Sequence, residues 1–411
     1  MKRYLGILAC VYCVTASAQQ RSLTGFIETA KANSPLLKEY SNTRLLNQLD
    51  SLRIRATLLP QVSGASTNSY APVIGGWGYD NAINNGFNFS QLVTVSKDFV
   101  PKNILANQFD LLRLQNDSLL LAGKVTSLDI TRSITTQYIT AYGSLQQVNF
   151  NQELLGLLRS EEVILKTLTE RSVYRQTDYL SFLVTLQQQE LQQNQAKLQY
   201  QADLLTLNYL AGIEDTSVVT LEAPAVELAV LPEAENSIFY EKYRVDSLIL
   251  RNTDALIDYT YKPKIKAYAD GGYVTTFAEN YYKNFGTSMG LNITVPIYDG
   301  KQRKIQHDRI KIAERTRQGY RDFFKKQYNQ QIAQLSLQLR STQALTEQMN
   351  SQLKYVQALI DANHKLLQTG DVKMTDYILA IGNYLNAKNT IRQNNILRLQ
   401  LINQINYWNS K

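Results

Sequence analysis

The sequence is poor in the residues that most site chemistry needs. Its 411 residues include two cysteines, two histidines, two tryptophans and eight prolines. Both cysteines, Cys10 and Cys13, fall in an N-terminal stretch with a secretory layout. Lys2 and Arg3 lead, an apolar run follows from Tyr4 to Val14, and Ala16-Ser17-Ala18 supplies an A-x-A cleavage site. Ile7-Leu8-Ala9-Cys10 also has lipoprotein-box spacing, but the apolar run before it is short. Residues 1–18 are therefore expected to be a signal peptide. Its removal leaves no thiol, which excludes disulfides, thiolate catalysis and cysteine-ligated metal. His307 and His364 have no Asp or Glu at metal-binding spacing and are expected to be exposed helix residues. Gly75-Gly76-Trp77-Gly78 lacks the strand-to-helix setting and trailing lysine of a phosphate loop, so an outer loop is expected there. No serine has a histidine partner set. These absences argue against an enzyme, a cofactor or a bound metal.

Two further absences bear on partners. The formal charge is +8, but acidic residues are interspersed with no basic block, which disfavours nucleic acid. Beyond the leader no run approaches the ~20 apolar residues of a transmembrane helix. An exported chain without one is either soluble or enters a membrane as a β-barrel.

What the sequence does contain is long, proline-free and polar. Residues 102–211 and 301–409 are rich in Gln, Leu and Asn, and each predicts a long helical hairpin. In the second, Leu335, Leu339, Thr342, Thr346, Met349, Leu353, Val356, Ile360, Asn363 and Leu367 alternate four and three apart. That 3.5-residue repeat marks helices lying along one another. At 1.5 Å per residue, ~60 residues make a rod of roughly 90 Å. Leu154, Leu158, Leu165 and Leu168 form a similar stripe in the first, which is expected to reverse near Arg171 to Thr177.

Before each hairpin the period changes from helical to alternating. Residues 22–33 predict a short helix, and Ser34-Pro35 opens a second that Pro60 stops. A β-hairpin is then expected over 61–96, with Phe87, Phe89, Val93 and Val95 on one face and Asn88, Ser90, Thr94 and Ser96 on the other. Gln91 and Leu92 interrupt it. A second hairpin over 264–296 alternates more cleanly. Ile265, Ala267, Ala269, Tyr273 and Phe277 share one face of its first strand, and Met289, Leu291, Ile293 and Val295 one face of its second. Alternation of this length with one apolar face suits a bilayer-crossing strand. Tyr70, Tyr79, Tyr273, Tyr281 and Tyr282 suit an aromatic girdle.

The plan therefore occurs twice, as residues 19–212 and 240–411. Residues 213–239 form a connector expected to carry one short strand. Thr177-Asp178-Tyr179-Leu180 matches Thr375-Asp376-Tyr377-Ile378, and Leu207-Asn208-Tyr209 matches Ile405-Asn406-Tyr407, both 198 residues apart. Four strands cannot close a barrel, and an open edge cannot face lipid, so the chain is expected to oligomerise.

The order of these features resembles the TolC family of outer-membrane efflux proteins over nearly the whole chain after the leader. Val295-Pro296-Ile297-Tyr298-Asp299-Gly300 leads a strand into a long helix. Leu210-Ala211-Gly212 closes a returning one, and Gly370, Asp376 and Asn386-Ala387-Lys388 fall in the last hairpin. The resemblance implies an α+β, mainly α fold and a homotrimer, with a twelve-strand β-barrel in outer-membrane lipid and a helical barrel in the periplasm. It implies a periplasmic adaptor (membrane fusion) protein and an inner-membrane transporter as partners. Acidic side chains close such channels, and Asp376 falls on the first of two positions, with Asp178 its repeat partner. The second position is Leu379 here. Asp376 is equally suited to capping its helix. Arg171, Ser172 and Val173, with Thr369, Gly370 and Asp371, resemble the hairpin ends that adaptors grip. Two rivals remain at this level: a secreted pore-forming toxin and a periplasmic coiled-coil scaffold without a pore.

Overall fold

The computed structural model describes residues 22–78, 86–230, 233–276 and 281–408. The expected leader, Tyr79, Phe277 and the side chain of Tyr281 lie outside this description. Helix α1 is Leu23–Asn33 and α2 is Pro35–Ala56. Strands β1 (Gln61–Ala71) and β2 (Gly86–Phe99) follow, then α3 (Lys102–Glu170) and α4 (Gln176–Ala211). The same order recurs as α5 (Ile238–Thr260), β3 (Lys264–Thr275), β4 (Phe285–Thr294), α6 (Gln302–Thr369) and α7 (Met374–Tyr407). Helices α3 and α6 are 69 and 68 residues long.

The residues form two compact units. The first comprises α1, Val125–Ser237 and the chain from Lys326 on. It holds the heptad seams. All ten seam residues of α6, from Leu335 to Leu367, are buried or half-buried, while most positions between them are exposed. One core gathers Leu154, Leu158, Leu165, Phe182, Leu186, Leu367, Tyr377 and Ile381 from four helices. Another packs Phe26 and Ala30 of α1 against Ile134, Tyr138, Leu204 and Leu207. Each fully buried Leu or Phe contributes about 1.5–3 kcal/mol relative to exposure. Among its described residues the connector forms only a single bridge position, at Leu221, and not the short strand expected. Its backbone is satisfied individually instead, Tyr138 Oη donating to the Glu222 carbonyl at 2.8 Å and Asn208 Nδ2 to that of Asp215 at 2.6 Å.

The second unit comprises Lys38–Lys124 and Ile238–Lys325 and contains one antiparallel sheet in the order β1-β2-β3-β4. Asn107 and Asn252 tie α3 to α5 by exchanging side-chain-to-carbonyl bonds of 3.1 Å. The approach to α6 explains the Tyr298-Asp299-Gly300 motif. Gly300 and Lys301 are both left-handed, and the Asp299 carboxylate accepts the N–H groups of Lys301 and Arg303 at 2.9 and 2.7 Å. These bonds hold the carboxyl below its ordinary pKa, that to Arg303 contributing most. Gly75 and Gly76, both at positive φ, turn the chain tightly, with Ile74 and Trp77 exchanging backbone bonds of 3.0 Å. That tetrapeptide therefore forms a defined turn.

Candidate functional site

Directly paired residues in an antiparallel sheet point to the same side, so register fixes the two faces. Val62, Val95, Ala269 and Met289 form one row across all four strands, and Phe99, Ile265 and Ile293 another. Lys97, Ala267 and Leu291, then Tyr70 with Phe87, and Phe89 with Thr275, lie on that same side. The opposite face carries Ser63, Thr94, Asp270 and Ser288 in one row and Ser96, Tyr268 and Gly290 in another. The alternations found separately in β2, β3 and β4 thus converge on one apolar and one hydroxyl-rich face.

Among the described residues nothing covers most of the apolar face. Met289, Leu291 and Ile293 are 88, 69 and 61% exposed, and Phe87 is exposed beside Tyr70, their rings 4.6 Å apart. Tyr273 meets Phe285 edge to face at 5.3 Å. Phe89 is half-buried opposite Asn68 and Thr275. Val295 falls just beyond β4. Gln91 sits on the apolar face, but its amide donates to Ser66 Oγ at 2.6 Å and Asn68 Oδ1 at 3.2 Å, so its polarity is absorbed within the sheet. Leu92 follows it onto the polar face beside Gly272. A Cβ at Gly272 would stand 1.9 Å from the Gln91 carbonyl oxygen, so only glycine lets the strands approach there. An apolar expanse of this kind, uncommon on a soluble monomer, marks an interface with lipid or protein.

Among the described residues both edges of the sheet are bare. β1 and β4 each pair on one side only, and neither contains a charge or a proline. Proteins that leave an edge in water usually blunt it with such residues.

The other sequence-predicted residues lie at two helix turns in the first unit. Between α3 and α4, Ser172 adopts φ 62° and the Val173 N–H bonds back to Leu168. Between α6 and α7, Gly370 adopts φ 81° and the Asp371 N–H bonds back to Leu366. Both are the left-handed endings typical of helix C-termini, and they fall 198 residues apart. The structure brings them together: Tyr174 Oη donates to the Val372 carbonyl at 2.9 Å. A Cβ at Gly370 would lie 2.5 Å from Val173 Cγ1. Arg171, Val173, Thr369 and Asp371 are exposed around this contact. Asp178 accepts the Arg175 N–H at 3.2 Å, making it a helix cap. Asp376 occupies the same third position of α7 and is exposed, but the start of α7 has no side-chain cap. The capping role therefore belongs to only one of the pair.

The histidines depart from expectation. His307 is 22% exposed, with Nδ1 2.6 Å from Asp254 and Nε2 3.0 Å from Asp258. Its pKa is raised by those carboxylates, the bond to Asp254 contributing most. His364 meets a buried glutamate, Glu161, which sequence reasoning missed. The signal was available: Glu161 sits where the Leu154, Leu158, Leu165, Leu168 stripe calls for an apolar residue. Among the described residues no cluster of His, Cys, Asp or Glu is suited to a metal, and no helix is long and apolar enough to cross a membrane.

No protein-family model and no curated protein matches the sequence. Solved structures match nearly end to end. The chain is similar to CusC, described in terms of folding and transmembrane channel formation, with TM-score 0.75 and 12% identity over 95% of this chain and 92% of that one. It is similar to the outer-membrane protein VceC from Vibrio cholerae, with TM-score 0.73 and 14% identity over 94 and 96%. The open-state MtrE outer-membrane channel of Neisseria gonorrhoeae gives 0.72 and 11% over 94 and 89%. The fold is that of TolC-like outer-membrane channels: long helices with four antiparallel strands in one sheet.

Proposed function

We propose that the protein is the outer-membrane channel of a tripartite efflux or type I secretion system, conducting substrates passively out of the periplasm of a Gram-negative bacterium. The observation that carries this reading is the two-faced sheet with two bare edges. A sheet exposing Met289, Leu291 and Ile293 on one side and Ser63, Thr94 and Ser288 on the other suits lipid outside and water inside. Its edges can be satisfied by pairing β4 of one copy with β1 of the next. Three copies give twelve strands, and the interface is head-to-tail, closing into a ring. The similarity to channel structures supports the same arrangement. No catalytic group is required, since partners would supply the energy.

In this reading the paired turns, with Arg171, Ser172, Val173, Thr369, Gly370 and Asp371, receive a periplasmic adaptor that bridges to an inner-membrane transporter. Asp376, uncapping and exposed, supplies one carboxylate per copy to a gate. Asp178 stays with its helix. Like charges gathered at an axis repel and favour cations. The test is twofold. The protein should fractionate with outer membranes and, reconstituted in planar bilayers, give discrete cation-preferring channels whose preference falls in Asp376→Ala. Recovery from culture medium would favour a toxin, and solubility without detergent a periplasmic scaffold.

A further inference from the structure

Where β2 leads into α3 and α5 leads into β3, the second unit holds a hollow of about 430 Å³, a volume that suits a small molecule. Its walls are largely apolar. Ile104 of α3, Leu256 and Tyr259 of α5, and Phe99 and Ile265 from the last apolar row of the sheet line it. Its charge is one-sided: Lys262, Lys264 and Lys266 stand against one acidic lining residue, Asp98. Register sets Lys266 between Asp98 and Asn292 and Lys264 opposite Thr294, all on the hydroxyl-rich face. Lys262, just ahead of β3, is half-buried, its Nζ 4.7 Å from the centroid of the Tyr259 ring. Among the described residues none of the three lysines forms a salt bridge.

Strand period sends Lys264 and Lys266 out of the same side of β3, their stems about 6.6 Å apart, and like charges that close repel. Asp98 offsets one of them. Positive charge is therefore left over beside a concave apolar wall, and a few polar groups converging on an apolar hollow is the usual form of a small-molecule site. We propose that the hollow binds an amphipathic anion: a compact apolar or aromatic body seated against Ile104, Leu256 and Tyr259, with a carboxylate, sulfonate or phosphate paired by Lys264 and Lys266. Asp98 favours a single anionic head over a polyanion, since it would repel further negative charge. Both lysines stand on the face away from Met289 and Leu291, so the occupant enters from water rather than from lipid. If the chain forms the channel proposed above, that occupant is a conducted solute. The site itself does not depend on that reading.

Calorimetric titration of the full chain, extracted in an uncharged detergent, with naphthalenesulfonate tests the site without reference to conduction. A dissociation constant below about 1 mM is expected at low salt, and it should weaken as salt rises. Naphthalenemethanol lacks the charge and methanesulfonate the apolar body, so each should bind at least about tenfold more weakly. Lys264→Gln combined with Lys266→Gln should weaken naphthalenesulfonate at least about tenfold, whereas Arg at both positions should retain it. Lys97→Gln, on the apolar face, should bind as wild type does. Should the paired Gln variant misfold, the analogue series on the wild-type chain decides. Undetectable wild-type binding, equal affinity for naphthalenemethanol, or full affinity in the paired Gln variant would overturn the site. So would an equal loss in Lys97→Gln, which would place the anion on the lipid side. Any of these results would leave the channel proposal standing.

Discussion

The two helix turns are copies of one design carrying different burdens. Each ends its first helix on a left-handed residue and opens its second with an aspartate at the third position. At the first turn the left-handed residue is Ser172 and the aspartate, Asp178, is spent on the cap. At the second it is Gly370, and Asp376 stands exposed over an uncapped helix start. The two turns keep the same backbone course but differ in one side chain: Asp178 bonds back to the N–H before its helix, and Asp376 makes no such cap. The hairpins differ similarly. The second repeat alternates cleanly, whereas the first contains Gln91, tolerated because Ser66 and Asn68 absorb its amide.

The largest effect should come from the sheet. Leu291→Arg places a charge on the apolar face and should cost ~2–4 kcal/mol at mid-bilayer, while Asn292→Arg on the polar face should cost about 1 kcal/mol or less. Unfolding in liposomes measures both, and equal costs would remove the distinction between faces. At the turns, Gly370→Ala meets both a left-handed backbone and Val173, and should destabilise by ~1–2 kcal/mol. Ser172→Gly should be neutral or mildly stabilising, because it relieves the same strain. Thermal unfolding compares them. Asp178→Ala should lose ~1 kcal/mol as a cap. Asp376→Ala should stay within about 0.5 kcal/mol while altering channel conductance. Conductance and cation preference identical to wild type would end its gating role.

The smallest effect concerns pH in the second unit. The His307 pKa is raised by Asp254 and Asp258. The stability this contributes is fully present below the ordinary histidine value and lost as pH rises through the raised one. The Glu314 carboxyl is lowered to about 2, chiefly by Arg317, so its contribution is present above the ordinary glutamate value and lost as pH falls towards 2. A stability profile falling at both ends is expected, and His307→Gln should flatten the alkaline limb. A smaller change is expected at the acid end, because Asp258, held down chiefly by Arg303, also loses its bond to His307.

Much of this was legible in the residues. Seam spacing predicted which positions of α6 are buried, from Leu335 to Leu367, because packing period follows from helix geometry. Alternation predicted the apolar rows, and the two proline-free runs predicted the long helices. Pairing across distant segments was not legible. That β2 lies beside β3 and joins the hairpins into one sheet is a tertiary fact, as is the meeting of Asp254 and Asp258 with His307. Nor could spacing separate Asp178 from Asp376, since each follows a threonine and precedes a tyrosine at the third position of its helix and only the bond to the Arg175 N–H tells them apart.

The central claim is that one copy cannot satisfy its own sheet. Native mass spectrometry of the detergent-extracted protein tests this most directly. Particles of three chains, dissociating only as the sheet unfolds, are expected. A folded single chain, monodisperse in detergent-free buffer, would contradict the account.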